Sequence, residues 1–342
     1  MPVIENSGRF DQAISGLCDR LKDVLSAVSQ SAKNSAFEVR LHVGKPVSIV
    51  SSGRCWFVDS SSRLHNVPQS GFVVQKQDIE QSIIRMCSFS VHSHQEEMKS
   101  GYISLLGGHR AGICGTAVLA RGKVSSVRDI TSINLRIARD IKGAADMLMD
   151  SVLKKRLCGI LLVGAPSSGK TTVLRDTARQ LASGKVNGYI KVAVIDERGE
   201  LGAVCGGIPQ NDLGPCCDIL SAYPKGEGIM TAVRTLSPQV IICDEIGGED
   251  EVSSMLDGVN CGVKMIASAH AASIGELLSR RQICRLLEYG VFEKIVRLGN
   301  SDTPGEIVEI AEARDIIAKD YRFGYGNGML HDYRNSDVEK AF

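Results

Sequence analysis

The chain has 342 residues, 43% hydrophobic and 23% charged, which is ordinary for a globular protein and enough for two domains with sizeable cores. Lys and Arg total 40 against 39 Asp and Glu, a net charge of +1, so no global field draws the chain to nucleic acid or to an acidic membrane. The 11 cysteines are odd in number, lack a Cys-x-x-Cys pair and include the adjacent Cys216-Cys217, which argues against a disulfide framework and for free thiols in a reducing cytosol.

Residues 11–29 put Ile14, Leu17, Leu21, Leu25 and Val28 on one helical face. No cationic-then-apolar leader precedes them, and no apolar run anywhere approaches the roughly 18 residues that span a bilayer. Membrane association is therefore expected to go through a partner or a surface. Phe37 to Val43 alternates like a half-buried strand, Gly44-Lys45-Pro46 turns it, and 47–50 continues a meander. Asp78 reads as the N-cap of a helix carrying Ile79, Ile83, Ile84 and Cys87. His92 and His94 share a strand face, but no carboxylate or thiol completes a metal set. A glycine-rich block from Gly101 to Gly122 leads into strand-like segments through Ile137. Arg136 and Arg139, three apart, read either as solvated charges or as arms reaching a nucleotide. Residues 1–140 are expected to form the smaller, α+β domain.

Near residue 142 the pattern changes. A connecting helix is expected over 144–153. Strand candidates follow at 159–163, 190–196, 239–243, 263–268 and 293–298, with helical patterns between them. This alternation predicts an α/β domain over 141–320 with a mostly parallel sheet. Residues 321–342 read as a loosely ordered tail.

The second domain carries the chemistry. Gly164-Ala165-Pro166-Ser167-Ser168-Gly169-Lys170-Thr171 fits G-x-x-x-x-G-K-[ST], with a strand before it and a helix, opening at Thr172, after it. Glycines let main-chain N–H groups turn toward a polyphosphate, and the helix N-terminus adds partial positive charge. Lys170 is expected to reach the β- and γ-phosphates of ATP and Thr171 to hold Mg²⁺. Asp196, Glu197 and Glu200 follow the next strand and are read as part of the metal and water network, or as a cap with a solvated charge cluster. Arg234 precedes the strand Val240 to Cys243, and an arginine near a γ-phosphate accelerates transfer by roughly 10³–10⁵. That strand ends in Asp244-Glu245. Adjacent carboxylates at a strand's carboxyl end sit where α/β sheets bind ligands. Asp244 is expected to hold Mg²⁺ through water and Glu245 to orient or deprotonate the attacking water. His270 ends the following strand, placed to sense the γ-phosphate.

These motifs resemble the ATPase domain of the type II and type IV secretion ATPases, a RecA-like branch of P-loop proteins, over residues 159–311. Asp196-Glu197-Arg198-Gly199-Glu200 is similar to that family's acidic box, with Arg198 where the family has proline. Arg234-Thr235-Leu236-Ser237-Pro238 is similar to its lead into the second acidic strand, and Ser268-Ala269-His270 to its histidine box. Asp244-Glu245 stands where the family has Gly-Glu. A closer resemblance, to a sporulation branch of these ATPases, covers nearly the whole chain. It rests on Glu38 to Pro46, Gly107 to Gly115 and Ser132 to Arg139. The resemblance implies a hexameric cytoplasmic ATPase at the base of a channel complex joining mother cell and forespore. It also implies that Arg110, Arg136 and Arg139 contact nucleotide, since the first domain of such motors closes over ATP. The other mechanism compatible with the loop is a nucleic-acid-remodelling ATPase of the helicase or AAA+ type. A charge of +1 and 5% aromatic residues offer little for a stacking groove, so no nucleic acid partner is expected.

Overall fold

A computed structural model describes residues 3–5, 8–51, 53–68, 71–87, 94–185 and 188–324. His92 and the tail beyond residue 324 lie outside them. The chain divides into two compact units: Met1–Lys142 with Gly202–Asp212, and Gly143–Leu201 with Leu213–Phe342.

In the first unit, β1 (Val3–Glu5) pairs antiparallel with β9 (Asp140–Lys142). Helices α1 (Arg9–Ile14), α2 (Asp19–Ser26), α3 (Gln30–Ser35), α4 (Lys76–Met86) and α5 (Gln95–Lys99) accompany a larger sheet. Its strands are β2 (Ala36–His42), β3 (Ser48–Ser51), β4 (Arg54–Val58), β5 (Leu64–His65), β6 (Tyr102–Ser104), β7 (Arg110–Ala120) and β8 (Lys123–Arg136). They run antiparallel in the order β5-β4-β3-β2-β8-β7-β6. Val39, Leu41, Ala111, Ile113, Ile133 and Leu135 point to one core, the period-2 outcome of one buried face.

The single helical face expected over 11–29 is buried as a face but not built as one helix. Ile14, Leu17, Leu21, Leu25 and Val28 are all in the core, yet the chain breaks between α1 and α2. A Cβ at Gly16 would come within 3.1 Å of Met86 Cγ, and the Cys18 N–H donates to Ser82 Oγ at 3.0 Å. Close approach to α4 therefore interrupts the helix. Asp78 caps α4 from its third position, not as the N-cap. Its Oδ2 accepts from the Gln75 N–H at 2.7 Å, while Arg20 Nε donates to Oδ1 at 2.8 Å.

The second unit is a seven-stranded sheet ordered β12-β11-β13-β14-β10-β15-β16. The strands are β10 (Ile160–Gly164), β11 (Val192–Asp196), β12 (Cys217–Ser221), β13 (Val240–Cys243), β14 (Lys264–His270), β15 (Lys294–Leu298) and β16 (Ile307–Glu312). Every pairing is parallel except β15 with β16, so the sheet is mixed. A short α6 (Asp146–Leu148) continues as a π-turn over Met149–Leu153. The other helices are α7 (Lys170–Ala182), α8 (Lys225–Thr235), α9 (Glu249–Asn260), α10 (Ile274–Leu278), α11 (Arg281–Glu288) and α12 (Ala313–Gly324). Alternate strand residues serve two cores. Ile160, Leu162, Val194 and Ile242 pack with α7 and residues 145–153. Leu161, Val163, Ile195 and Ile241 pack with α8, α9 and α11. Burial on both faces explains the unbroken apolar runs of β10, β11 and β13. β12 and β16 are absent from the strands expected from sequence because they are edges. Their residues are half-exposed and lack such runs.

Candidate nucleotide-binding site

The order of strands in the second sheet assembles the site. β14 stands between β10 and β13, and the register pairs Gly164 with His270, Cys243 with Ala267 and Ile195 with Cys243. Asp196, Asp244 and His270 therefore leave the sheet at the same carboxyl edge as the glycine-rich loop, where open α/β sheets bind ligands.

The loop is strained in the way a phosphate cradle requires. Ser167 has φ +62° and Gly169 has φ +88°. A Cβ at Gly169 would lie 2.6 Å from the Gly305 nitrogen, and the Gly305 N–H donates to the Ser168 carbonyl at 2.8 Å. Only glycine fits there. No side chain caps the start of α7, so its first N–H groups lack a side-chain acceptor. Ser168 Oγ is buried without a hydrogen-bond partner. An orphaned hydroxyl, an uncapped helix start and a buried lysine are the groups a polyphosphate would satisfy.

Lys170 is 7% exposed. Its ammonium donates to the carbonyls of Gly164 and Ala165, each at 2.8 Å, and meets His270 Nδ1 at 3.0 Å. Burial pushes its pKa down, while Glu245 and Asp244 oppose that shift. An ammonium only donates, so His270 Nδ1 accepts and its Nε2–H faces Glu245 Oε1 at 3.2 Å. Arg198 Nη1 donates to Glu245 Oε2 at 2.9 Å. Lys170, His270, Glu245 and Arg198 thus form one continuous chain of polar contacts.

Asp244 is nearly buried, and its Oδ1 accepts from the Glu245 N–H at 2.7 Å and from Ser268 Oγ at 3.2 Å. Among the described residues no cluster of three or more His, Cys, Asp or Glu is arranged as a metal cage. An ion that keeps most of its water, as Mg²⁺ does, needs only one or two protein oxygens, so this does not count against Thr171 and Asp244.

The acids of the turn after β11, read as part of the water network or as a cap with a solvated charge cluster, take different partners. Asp196 is 1% exposed, and its Oδ1 accepts from the Glu200 and Leu201 N–H groups at 2.8 and 3.0 Å. It shapes the turn. The Glu200 carbonyl accepts from Arg175 Nη2 at 2.8 Å. Glu197 instead reaches Lys225, 3.4 Å away.

Residues 8–317 match the family described as "Sporulation stage III, protein AA". The chain belongs to that family. The Stage III sporulation protein AA of Bacillus subtilis (strain 168) is 34% identical over 295 residues, covering 86% of this chain and 92% of that protein. Two solved structures share the fold. The Legionella pneumophila ATPase DotB has a TM-score of 0.54 at 14% identity, covering 91% of this chain and 88% of its own. The pilus retraction motor PilT with bound ADP has a TM-score of 0.53 at 13% identity, covering 90% and 87%. The resemblance to the sporulation family is borne out, and the likeness to secretion ATPases is borne out at the level of fold.

Arg234 is not brought to the loop of its own chain. α8 begins at the carboxyl edge with Lys225 and runs back across the sheet, which sets Arg234 roughly 14 Å further along the helix, toward the opposite edge. It is exposed there. The first-unit arginines have partners within that unit. Arg110 stacks on Tyr102 at 4.0 Å and is the cross-strand partner of Arg136, which lies 3.9 Å from Glu38. Arg139 donates to the carbonyls of Asn34 and Ala36 at 3.0 and 2.6 Å and covers the Phe37 ring. Its guanidinium is committed to the unit's own backbone, not free as an arm. The eleven cysteines are all free thiols. No helix among the described residues is long and apolar enough to cross a membrane.

Two cations of the site escaped the sequence reading. Arg198 was visible only as a departure from the proline of the secretion ATPases. Lys225 had a fainter signal, a lysine between Pro224 and the small residues Gly226 and Gly228.

Proposed function

We propose that this chain is a Mg²⁺-dependent ATPase motor with a RecA-like core, acting as a ring at the membrane channel complex that joins mother cell and forespore. The observation that carries the reading is the contact chain from Lys170 through His270 to Glu245 at the edge that holds the loop. It links the group that would grip phosphate to the group that would position water. The sporulation family and the fold shared with an ATPase and an ADP-bound pilus motor support it.

Phosphate oxygens would replace the loop carbonyls and His270 as partners of Lys170. Bound Mg²⁺ would be held by Thr171 and, through water, by Asp244, and would neutralise charge on the phosphates. Glu245 orients a water for in-line attack: its oxygen bonds to the γ-phosphorus, the bond to the bridging oxygen breaks, and the water's proton passes to Glu245. An arginine from a neighbouring subunit, Arg234 among the candidates, completes the site. Arg110 and Arg136 are proposed to reach nucleotide in the assembled ring. The protein works in the cytoplasm, held at the membrane by channel proteins.

Calorimetry with ATP and Mg²⁺, followed by phosphate-release assays, tests this. Lys170→Ala is expected to abolish turnover, and Glu245→Gln to bind ATP without hydrolysing it. Wild-type turnover by the Glu245→Gln protein would refute the role given to Glu245.

A further inference from the structure

Lys225 stands where simple energetics disfavour a lysine. It is the first residue of α8, at the positive end of the helix dipole, and is only 4% exposed. Burying an ammonium costs several kcal/mol unless its charge and its hydrogen bonds are matched. The two glycines beside it bring it in. A Cβ at Gly226 would lie 3.2 Å from Ser254 Oγ and 3.3 Å from the Asp250 carbonyl. One at Gly228 would lie 2.6 Å from Ile195 Cγ2. Each glycine costs a helix interior about 1 kcal/mol relative to alanine, and the close approach to α9 and β11 is what that cost makes room for.

The ammonium then joins three segments. It donates to the main-chain carbonyl of Glu245. It faces Glu197 Oε2 at 3.4 Å on the turn after β11 and Glu251 Oε1 at 3.8 Å on α9. Glu251 Oε2 in turn accepts from the Gly247 N–H at 2.9 Å, and the Ile246 N–H donates to the Ser268 carbonyl at 2.9 Å. The Glu245 N–H is held by Asp244 at 2.7 Å. The peptide groups on both sides of Glu245 are therefore fixed: Asp244 holds the N–H side, and on the other side Lys225 holds the Glu245 carbonyl while the Ser268 carbonyl holds the Ile246 N–H.

We propose that Lys225 is a positioning residue: by fixing the Glu245 carbonyl and tying it to the acidic turn, it holds the Glu245 carboxylate in line with His270 and an attacking water. This rests on the reading of Glu245 as the water-orienting group. Lys225 acts through Glu245, whose carbonyl it binds.

The test compares full-length wild type, Lys225→Met, Lys225→Arg, Glu245→Gln and the Lys225→Met/Glu245→Gln double variant. Hydrogen exchange on the nucleotide-free proteins reads position directly. Lys225→Met is expected to speed exchange in the peptide 244–251 and leave 159–174 unchanged. ATP affinity, by calorimetry with Mg²⁺, should stay within threefold of wild type. Turnover should fall by about 10–100-fold, the scale of a misplacement near 1 Å, and Lys225→Arg should recover part of it. In the Glu245→Gln background, Lys225→Met should lower the residual single-turnover rate no further. Unchanged exchange at 244–251 overturns the proposal. So does a parallel fall in affinity, turnover and melting temperature, or an equal further loss in the double variant. Should the wild type not hydrolyse ATP, the motor reading fails, and the exchange measurement still decides the role of Lys225.

Discussion

Replacing His270 by alanine would cut the contact chain at its centre. The imidazole accepts from Lys170 at 3.0 Å, and its Nε2 stands 3.2 Å from Glu245 Oε1. Lys170 keeps its two loop carbonyls and remains free to exchange them for phosphate oxygens, so ATP affinity should change by less than threefold. Glu245 loses the close neighbour of one oxygen and keeps Arg198 on the other. Partly exposed contacts of this kind contribute up to about 1 kcal/mol. The His270 side chain is 36% exposed, so about 0.5–1 kcal/mol applies, or roughly 2–5-fold in turnover. His270→Gln retains an N–H donor and should recover part of that loss. Steady-state phosphate release and calorimetry on the three proteins separate the effects. A tenfold loss of ATP affinity with unaltered turnover would show that His270 serves phosphate binding alone and that the link to Glu245 is idle.

Arg198→Ala should be mild by comparison, because its side chain is 57% exposed and such pairs contribute up to about 1 kcal/mol; turnover falling more than tenfold would mean that Arg198 touches the nucleotide. Gly169→Ala puts a side chain at φ +88° and against the Gly305 nitrogen. Urea unfolding should show a loss of about 2–4 kcal/mol from backbone strain and the lost loop bond, and a loss under 1 kcal/mol with normal ATP uptake would remove the cradle argument. His109 is 1% exposed, its Nδ1 accepts from the Ala138 N–H at 2.9 Å, and burial with nearby Arg9 pushes its pKa from 6.5 down to about 4. Below pH 6.5 the unfolded chain takes up a proton that the folded one refuses, so stability drops by about 1.4 kcal/mol per pH unit, about 3 kcal/mol in all, as pH falls from 6.5 to 4. His109→Gln should flatten that window in denaturant titrations, and an identical pH dependence in both proteins would contradict the assignment.

How much of this was legible in the sequence depended on the range of the interaction. The phosphate loop was readable because its parts are contiguous and its flanks are an apolar strand and an amphipathic helix. β10, β11 and β13 were readable because burial on both faces leaves unbroken apolar runs. β12 and β16 were not, because edge strands stay largely exposed and resemble loops. Residues 202–212 lie in sequence between β11 and β12 of the second unit, yet cluster with the first. No periodicity announces such an excursion. The Gln210 side chain accepts from the Gly107 N–H at 2.6 Å within that first unit, a pairing 103 residues apart in the chain.

The site shows the same limit in its charges. Asp196, Glu197, Asp244 and Glu245 stood out because each ends or follows an apolar strand, but acids gathered at one sheet edge repel one another. What makes the cluster tolerable is a set of cations from other elements: Lys170 from α7, Lys225 from α8, and Arg198 from the turn that also carries Glu197. Arg198 meets Glu245 from 47 residues away and Lys170 meets His270 from 100, distances over which sequence spacing carries no information. The arrangement bears on what a triphosphate would do in the proposed motor. Its phosphate oxygens would displace the loop carbonyls and His270 from Lys170, while Lys225, buried and bound to the Glu245 carbonyl, would keep its partners. One lysine is placed to respond to the nucleotide and the other to keep the carboxylate still while it does. For that reason substitutions at the two positions should separate binding from turnover: Lys170→Ala acts on both, and Lys225→Met on turnover alone.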